Sequence, residues 1–173
     1  MPSVLIDSRE PADLYTQISV EFLAMKGVEV YPRLPLPVGD ALIVGQHATY
    51  YVERKTTRDL AASLTDQQAN GHSRLRNQIE KLSGIARTTD AIPLLVIHGD
   101  APTRSRKGNL AWHVRGQTIV SELNFWSFQM AIASIAVNSP VRVIPLWNAS
   151  YPQFLTYLMR AANKARHAFA NVA

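Results

Sequence analysis

GDALIVGQHATYYVERKTTRDL, residues 39–60, decides how the rest of the chain reads. Two apolar runs, ALIVG (41–45) and TYYVER (49–54), flank the short stretch GQH, the pattern of two antiparallel strands joined by a tight loop. Charges gather at the ends of this hairpin. Asp40 precedes the first strand, Glu53, Arg54 and Lys55 close the second, and Asp59 follows. Side chains alternate along a strand, so Glu53 and Lys55 share one face and Arg54 takes the other. Pairing the strands brings Asp40 and Glu53 to the same end of the sheet, two carboxylates and one ammonium together. Such carboxylates repel each other, which raises a pKa unless a cation is shared. A hard divalent ion takes one or two carboxylates plus water and phosphate oxygens, and it can lower the pKa of a bound water. A lysine beside it can orient that water or stabilise charge building on phosphorus. The plainer account is a solvated strand end with ordinary salt bridges, and spacing alone leaves both open.

Working outward, the element order is that of an α/β domain. VLID (4–7) is a short buried strand. A helix is expected over 13–27, with Leu14, Ile18 and Phe22 on one face and Gly27 at its stop. VEVYPRL (28–34) is a second strand, ended or pushed to an edge by Pro35 and Pro37. Helices are expected over 57–64 and 74–86, separated by a polar loop at 65–73. PLLVIHGD (93–100) is a continuous apolar run of the central-strand type. Residues 101–116 read as a long basic loop. From Ile119, apolar residues recur at Leu123, Trp126, Met130, Ala133 and Val137, the spacing of an amphipathic helix that buries this stripe. VRVIPLW (141–147) is the last strand, and Phe154, Leu158, Ala162 and Ala165 share a face of a C-terminal helix.

The totals fit one folded domain. The chain has 173 residues, 47% of them apolar and 18% charged, which excludes a disordered chain. With no cysteine, a disulfide framework and a thiolate zinc site are excluded. No signal peptide and no apolar run of membrane-spanning length is visible, so an intracellular location is expected: cytoplasm or nucleoid in a prokaryote or virus, nucleus in a eukaryote. The net charge of +5 permits a polyanionic partner.

VLIDSRE, LPVGDALIV, YVERKTTRDLAASL and PLLVIHGD occur in this order. Together they resemble the nuclease domain of the XPF/Hef family, the ERCC4-type domain of the PD-(D/E)xK superfamily. The signature is GD, a variable gap, ERK, three residues and D, carried here by Gly39-Asp40, Glu53-Arg54-Lys55 and Asp59; an upstream element is carried by Asp7, Arg9 and Glu10. The resemblance covers residues 4 to about 165 and implies a restriction-endonuclease-like fold, a mixed central sheet flanked by helices. Family members usually carry a tandem helix-hairpin-helix domain and some a helicase; here a single nuclease domain over 1–173 with neither is expected. It implies a Mg²⁺- or Mn²⁺-dependent DNA endonuclease acting on branched, flap or fork DNA. In that reading Asp40 and Glu53 ligate the metal with the Arg54 backbone carbonyl, and Lys55 assists the attacking water. Asp7 and Glu10 complete the catalytic set by shaping the metal site. Arg54 and Asp59 pair behind it, although a plain structural salt bridge fits them equally. Arg9, Arg74 and Gln78 approach the nucleic acid. Between Asp66 and Arg74 several residues look inserted relative to the family pattern. Related domains dimerise through their last helices and strand, so a homodimer or a heterodimer with a DNA-binding partner is expected. Two alternatives remain: a catalytically silent DNA-binding or partner module, and a nuclease acting on plain duplex DNA or RNA.

The stretch 103–115 carries Arg104, Arg106, Lys107 and Arg115 around Trp112, cations for phosphates and an aromatic for an unpaired base; Trp112 equally reads as a lid on the core. Trp126 and Trp147 read as core. His98 reads as a strand-end residue, and no histidine spacing suits zinc.

Overall fold

The computed structural model describes residues 1–69 and 71–164. Its main sheet begins with β1 (Ser3–Asp7), β2 (Glu29–Leu34), β3 (Ala41–Val44) and β4 (Thr49–Thr56). It is completed by β5 (Ile92–Gly99) and β9 (Arg142–Trp147), in the order β2-β1-β3-β4-β5-β9. β3 runs antiparallel to both β1 and β4, whereas β1–β2, β4–β5 and β5–β9 are parallel, so the sheet is mixed as expected. A second sheet of three strands holds β6 (Thr103–Arg104), β7 (Asn109–Val114) and β8 (Gln117–Asn124).

Helices cover both faces of the main sheet. On one side lie α1 (Ala12–Leu23) and α5 (Tyr151–Ala162), whose Ile18, Phe22, Leu155 and Met159 pack on Val4, Ile6, Ile43, Val52 and Val96. On the other lie α2 (Thr57–Thr65), α3 (Arg74–Thr88) and α4 (Phe125–Asn138), closing a second core around Leu60, Leu82, Leu95, Ile97 and Phe128. The central strand β5 feeds both cores, Leu94 and Val96 to the first, Leu95 and Ile97 to the second. Its unbroken apolar run therefore reflects burial on both faces. The first helix ends four residues before Gly27, which instead takes φ +76 in the following turn. Ala165, assigned above to the last helix, lies outside the described residues. Among the described residues no helix is long and apolar enough to cross a membrane.

Two expectations fail in the same region. The stretch 101–116 is no loop: β6 and β7 pair, and β7 turns into β8 through Arg115 and Gly116, both at positive φ (48° and 80°). That two-residue turn type matches the twist of a hairpin. Residues 117–124 are consequently strand, and the helix starts only at Phe125, where the Asn124 side chain accepts from the N–H groups of Trp126 and Ser127. The helical stripe is also turned about. Trp126, Met130, Ala133 and Val137 face outward, and Phe128 is the buried residue of α4. Trp126 is thus 58% exposed and not core.

Candidate functional site

The site is assembled where β3 begins and β4 runs past it. Gly39 sits at φ +79, and a Cβ there would come within 2.9 Å of the Val52 carbonyl oxygen, so the turn excludes any side chain. That close approach lets the Asp40 N–H donate to Val52 O (2.7 Å), while the Asp7 N–H donates to Asp40 O (2.9 Å). β1, β3 and β4 are thereby stitched together at Asp40. The last β3–β4 pair is Ala41–Val52, and beyond it the Asp40 carboxylate stands in for the missing strand: its Oδ2 accepts the Arg54 N–H at 2.7 Å.

Alternation then sorts the side chains. Val52 points to the α1/α5 core, so Glu53 and Lys55 point to the α2/α3 side, where both are buried. Lys55 Nζ donates to Glu53 Oε1 at 2.8 Å, and Gln78 Nε2, from α3, donates to the same oxygen at 2.7 Å. Burial, followed by the negative charge of Glu53, pushes the Asp40 carboxyl up from 3.8 to about 7; the Arg54 N–H works against the rise. Among the described residues no group of three acidic, histidine or cysteine side chains is placed to hold a metal. The donor set is instead two hard carboxylates whose mutual repulsion a divalent cation relieves. It suits Mg²⁺ or Mn²⁺, which complete their shells with water and phosphate oxygens.

Asp7 and Glu10 flank this pair in different ways. The Asp7 carboxylate is fully buried and saturated by the Arg9 side chain (2.6 Å), the Arg9 N–H (2.8 Å) and the Leu36 N–H (2.7 Å). Burial opposes its ionisation, but these donors win and hold its pKa below the usual value. Glu10 Oε2 receives Arg54 Nε at 3.0 Å and Nη2 at 2.8 Å. Burial raises its pKa, with Arg54 pulling the other way.

Arg54 therefore pairs with Glu10 and not with Asp59. The Asp59 carboxylate accepts the Thr56 hydroxyl (2.7 Å) and Thr56 Oγ1 accepts the Asp59 N–H (3.1 Å), a reciprocal cap on α2. The remaining arm of Arg54, Nη1, lies 2.9 Å from His98 Nε2, and Arg54 Cζ lies 5.8 Å from the centroid of the Tyr151 ring. His98 and Tyr151 were not singled out as site residues by sequence. His98 carried a faint signal, being polar at the end of an apolar strand; Tyr151 carried none.

Other expected residues are spread out. The Arg9 side chain is 70% exposed beside Asp7, with Nη2 3.5 Å from Gly39 O. Arg74 donates to Ser63 Oγ (3.1 Å) and lies 3.6 Å from Asp66; its N–H donates to Asp66 O (2.8 Å). The extra residues are an excursion that leaves at Asp66 and returns at Arg74. Arg104, Arg106 and Lys107 are exposed at one end of β7 and Arg115 at the other, so they form no single cluster. Trp112 is 8% exposed within the second core, with Nε1 buried and lacking a hydrogen-bond partner among the described residues. It is the lid on the core, and its ring is not presented for stacking.

The profile of the ERCC4 domain matches residues 6–158. The chain belongs to the ERCC4 domain family. Among solved structures it is similar to XPF from Aeropyrum pernix, at 23% identity and a TM-score of 0.59, over 94% of this chain and 62% of that one. It is also similar to XPF from Aeropyrum pernix in complex with DNA, at 24% identity and a TM-score of 0.58, over 93% of this chain and 64% of that one. The ERCC4 chain described here thus spans less than two thirds of either, and the likeness establishes a shared fold. No curated protein matches it.

Proposed function

We propose that this ERCC4-family chain is a divalent-metal-dependent endonuclease that hydrolyses phosphodiester bonds in branched DNA. The observation that carries the reading is the buried Glu53–Lys55 pair beside an Asp40 whose carboxyl is pushed up to about 7. Such a set stores an electrostatic penalty that a cation relieves. Asp40 and Glu53 hold Mg²⁺ or Mn²⁺, together with the Arg54 carbonyl, which leaves the strand on the same side as the N–H given to Asp40. Held there, such an ion would supply Lewis acidity at the phosphate and lower the pKa of a bound water.

The chain's own residues do the rest. Gln78 and Lys55 fix the Glu53 carboxylate by one oxygen, and its Oε2 accepts no hydrogen bond among the described residues. The Arg54 N–H fixes Asp40 in the same way, through Oδ2. Lys55 carries the positive charge that orients the water and offsets charge developing on phosphorus. Exposed Arg9 and Arg74 flank the site and contact phosphates, and an intracellular location is part of the same reading.

The silent-module reading loses support because Asp40, Glu53 and Lys55 are all present and brought together. The outward stripe of Trp126, Met130 and Val137 on α4 favours a subunit interface on that face, with a second copy as its partner. Sedimentation of Met130→Glu against wild type tests this: a loss of dimer supports it, and a wild-type monomer at micromolar concentration refutes it.

The test of the activity uses end-labelled flap, fork, duplex and single-stranded DNA, and RNA, with Mg²⁺, Mn²⁺ or chelator, beside Asp40→Asn. Metal-dependent cutting of junctions, lost in the variant, is the expected result. Binding without cutting on every substrate returns the silent module, and preferential cutting of plain duplex or RNA replaces the branched substrate.

A further inference from the structure

Arg54 is gripped twice. Among the described residues its backbone N–H is the one donor to Asp40 Oδ2, at a point where β3 has ended and no ladder holds that side of β4. Its side chain is held on the opposite face of the sheet by groups from three elements: Glu10 after β1, His98 in β5, and Tyr151 opening α5. A guanidinium only donates. Toward Nη1 the His98 Nε2 is therefore an acceptor, and the ring carries its proton on Nδ1. Glu10 occupies Nε and Nη2, so the two acceptors together fix the plane of the guanidinium as well as its position.

We propose that His98 is a positioning residue: by accepting from Arg54 Nη1 it locks the Arg54 side chain and, through it, the peptide whose N–H aims the Asp40 carboxylate. The inference rests on the nuclease reading and adds to it a residue that touches neither Asp40 nor Glu53. Hydrogen bonds that orient ligands from behind are worth about 10–100-fold in metal affinity or activity when removed.

Three substitutions separate the acceptor from mere packing. His98→Gln keeps an acceptor at a reach close to that of Nε2. His98→Leu keeps volume but has no acceptor, and His98→Ala loses both. Three readouts are taken on each folded protein: the NMR shift of the Arg54 amide proton without metal, Mn²⁺ affinity by calorimetry, and kcat and KM on a cleaved DNA. The expected pattern is a downfield Arg54 amide in wild type and His98→Gln that moves upfield in His98→Leu. It comes with about tenfold weaker Mn²⁺ binding and about tenfold lower kcat at unchanged KM in His98→Leu and His98→Ala.

A His98→Leu protein with the wild-type amide shift and Mn²⁺ affinity overturns the proposal while leaving the nuclease reading intact. Unequal KM with equal kcat also overturns it, since that is the signature of lost substrate contact. A wild type that neither binds Mn²⁺ nor cuts nucleic acid overturns the nuclease reading and the inference with it.

Discussion

Replacing Asp40 by asparagine makes the metal-free protein more stable above neutral pH, although it removes a proposed metal ligand. The wild-type carboxyl is raised in the folded state, from 3.8 to about 7, by burial and then by Glu53. A group raised in this way contributes stability that is whole below its unfolded pKa and lost as pH climbs through the folded one. The loss therefore accumulates between about pH 4 and pH 7 and is complete above that. Three pKa units correspond to about 4 kcal/mol. This is a ceiling, since Asp40 retains some solvent contact. Asparagine is nearly isosteric, and its side-chain oxygen still accepts the Arg54 N–H, so the variant keeps the geometry and sheds the repulsion. For a domain of this length about 4 kcal/mol is on the order of 10 °C in Tm. Thermal melts in chelator from pH 4 to pH 8 read the effect directly. The two proteins melt together near pH 4, and the variant gains steadily to about pH 7. Millimolar Mg²⁺ at pH 8 closes the gap by stabilising wild type alone. A variant less stable than wild type at pH 8, or a gap that ignores pH, would falsify the assignment of Asp40 and Glu53 as mutually repelling carboxylates.

Three further outcomes follow from the same geometry. Lys55→Met leaves Glu53 buried with Gln78 as its remaining donor and costs roughly 3–5 kcal/mol in urea unfolding; a loss below 1 kcal/mol refutes the buried pair. Gly39→Ala meets both a positive φ and a carbonyl at 2.9 Å, so it destabilises by about 2 kcal/mol or more and suppresses cleavage at saturating metal; wild-type behaviour in both assays removes the close approach from the account. Tyr151→Phe deletes a buried hydroxyl without a partner among the described residues while keeping the ring against Arg54 and His98. It should leave cleavage unchanged and stability equal or up to about 1 kcal/mol higher, and a loss of kcat assigns the hydroxyl a role in the reaction.

Local chemistry carried much of this protein in plain view. Apolar runs bounded by turn residues are enough to mark β1, β3, β4 and β5, and the unbroken run of β5 reflects burial on both faces. Period-two alternation is enough to put Glu53 and Lys55 on one side and Arg54 on the other. The glycine before Asp40 and the spacing to ERK located the acids, since those are constraints within one hairpin. Where the reading failed, two local signals competed. The stripe from Ile119 to Val137 has helical spacing, but Arg115-Gly116 and the Asn124 cap divide it into a strand and a helix. Spacing also says nothing about which side of α4 meets the protein, and Phe128, not Trp126 or Met130, found the core.

What only the tertiary structure decided are the meetings of residues distant in sequence. Asp59 lies five positions from Arg54, yet it is committed to the Thr56 cap, and the partners of Arg54 are Glu10 and His98, each 44 positions away. The elevated Asp40 carboxyl is likewise a property of burial between strands and of its distance to Glu53, quantities that exist only once the sheet has closed. Sequence determines which groups are available and which face of an element they occupy. Packing determines which of them share a dielectric and a hydrogen bond, and those two things set their chemistry.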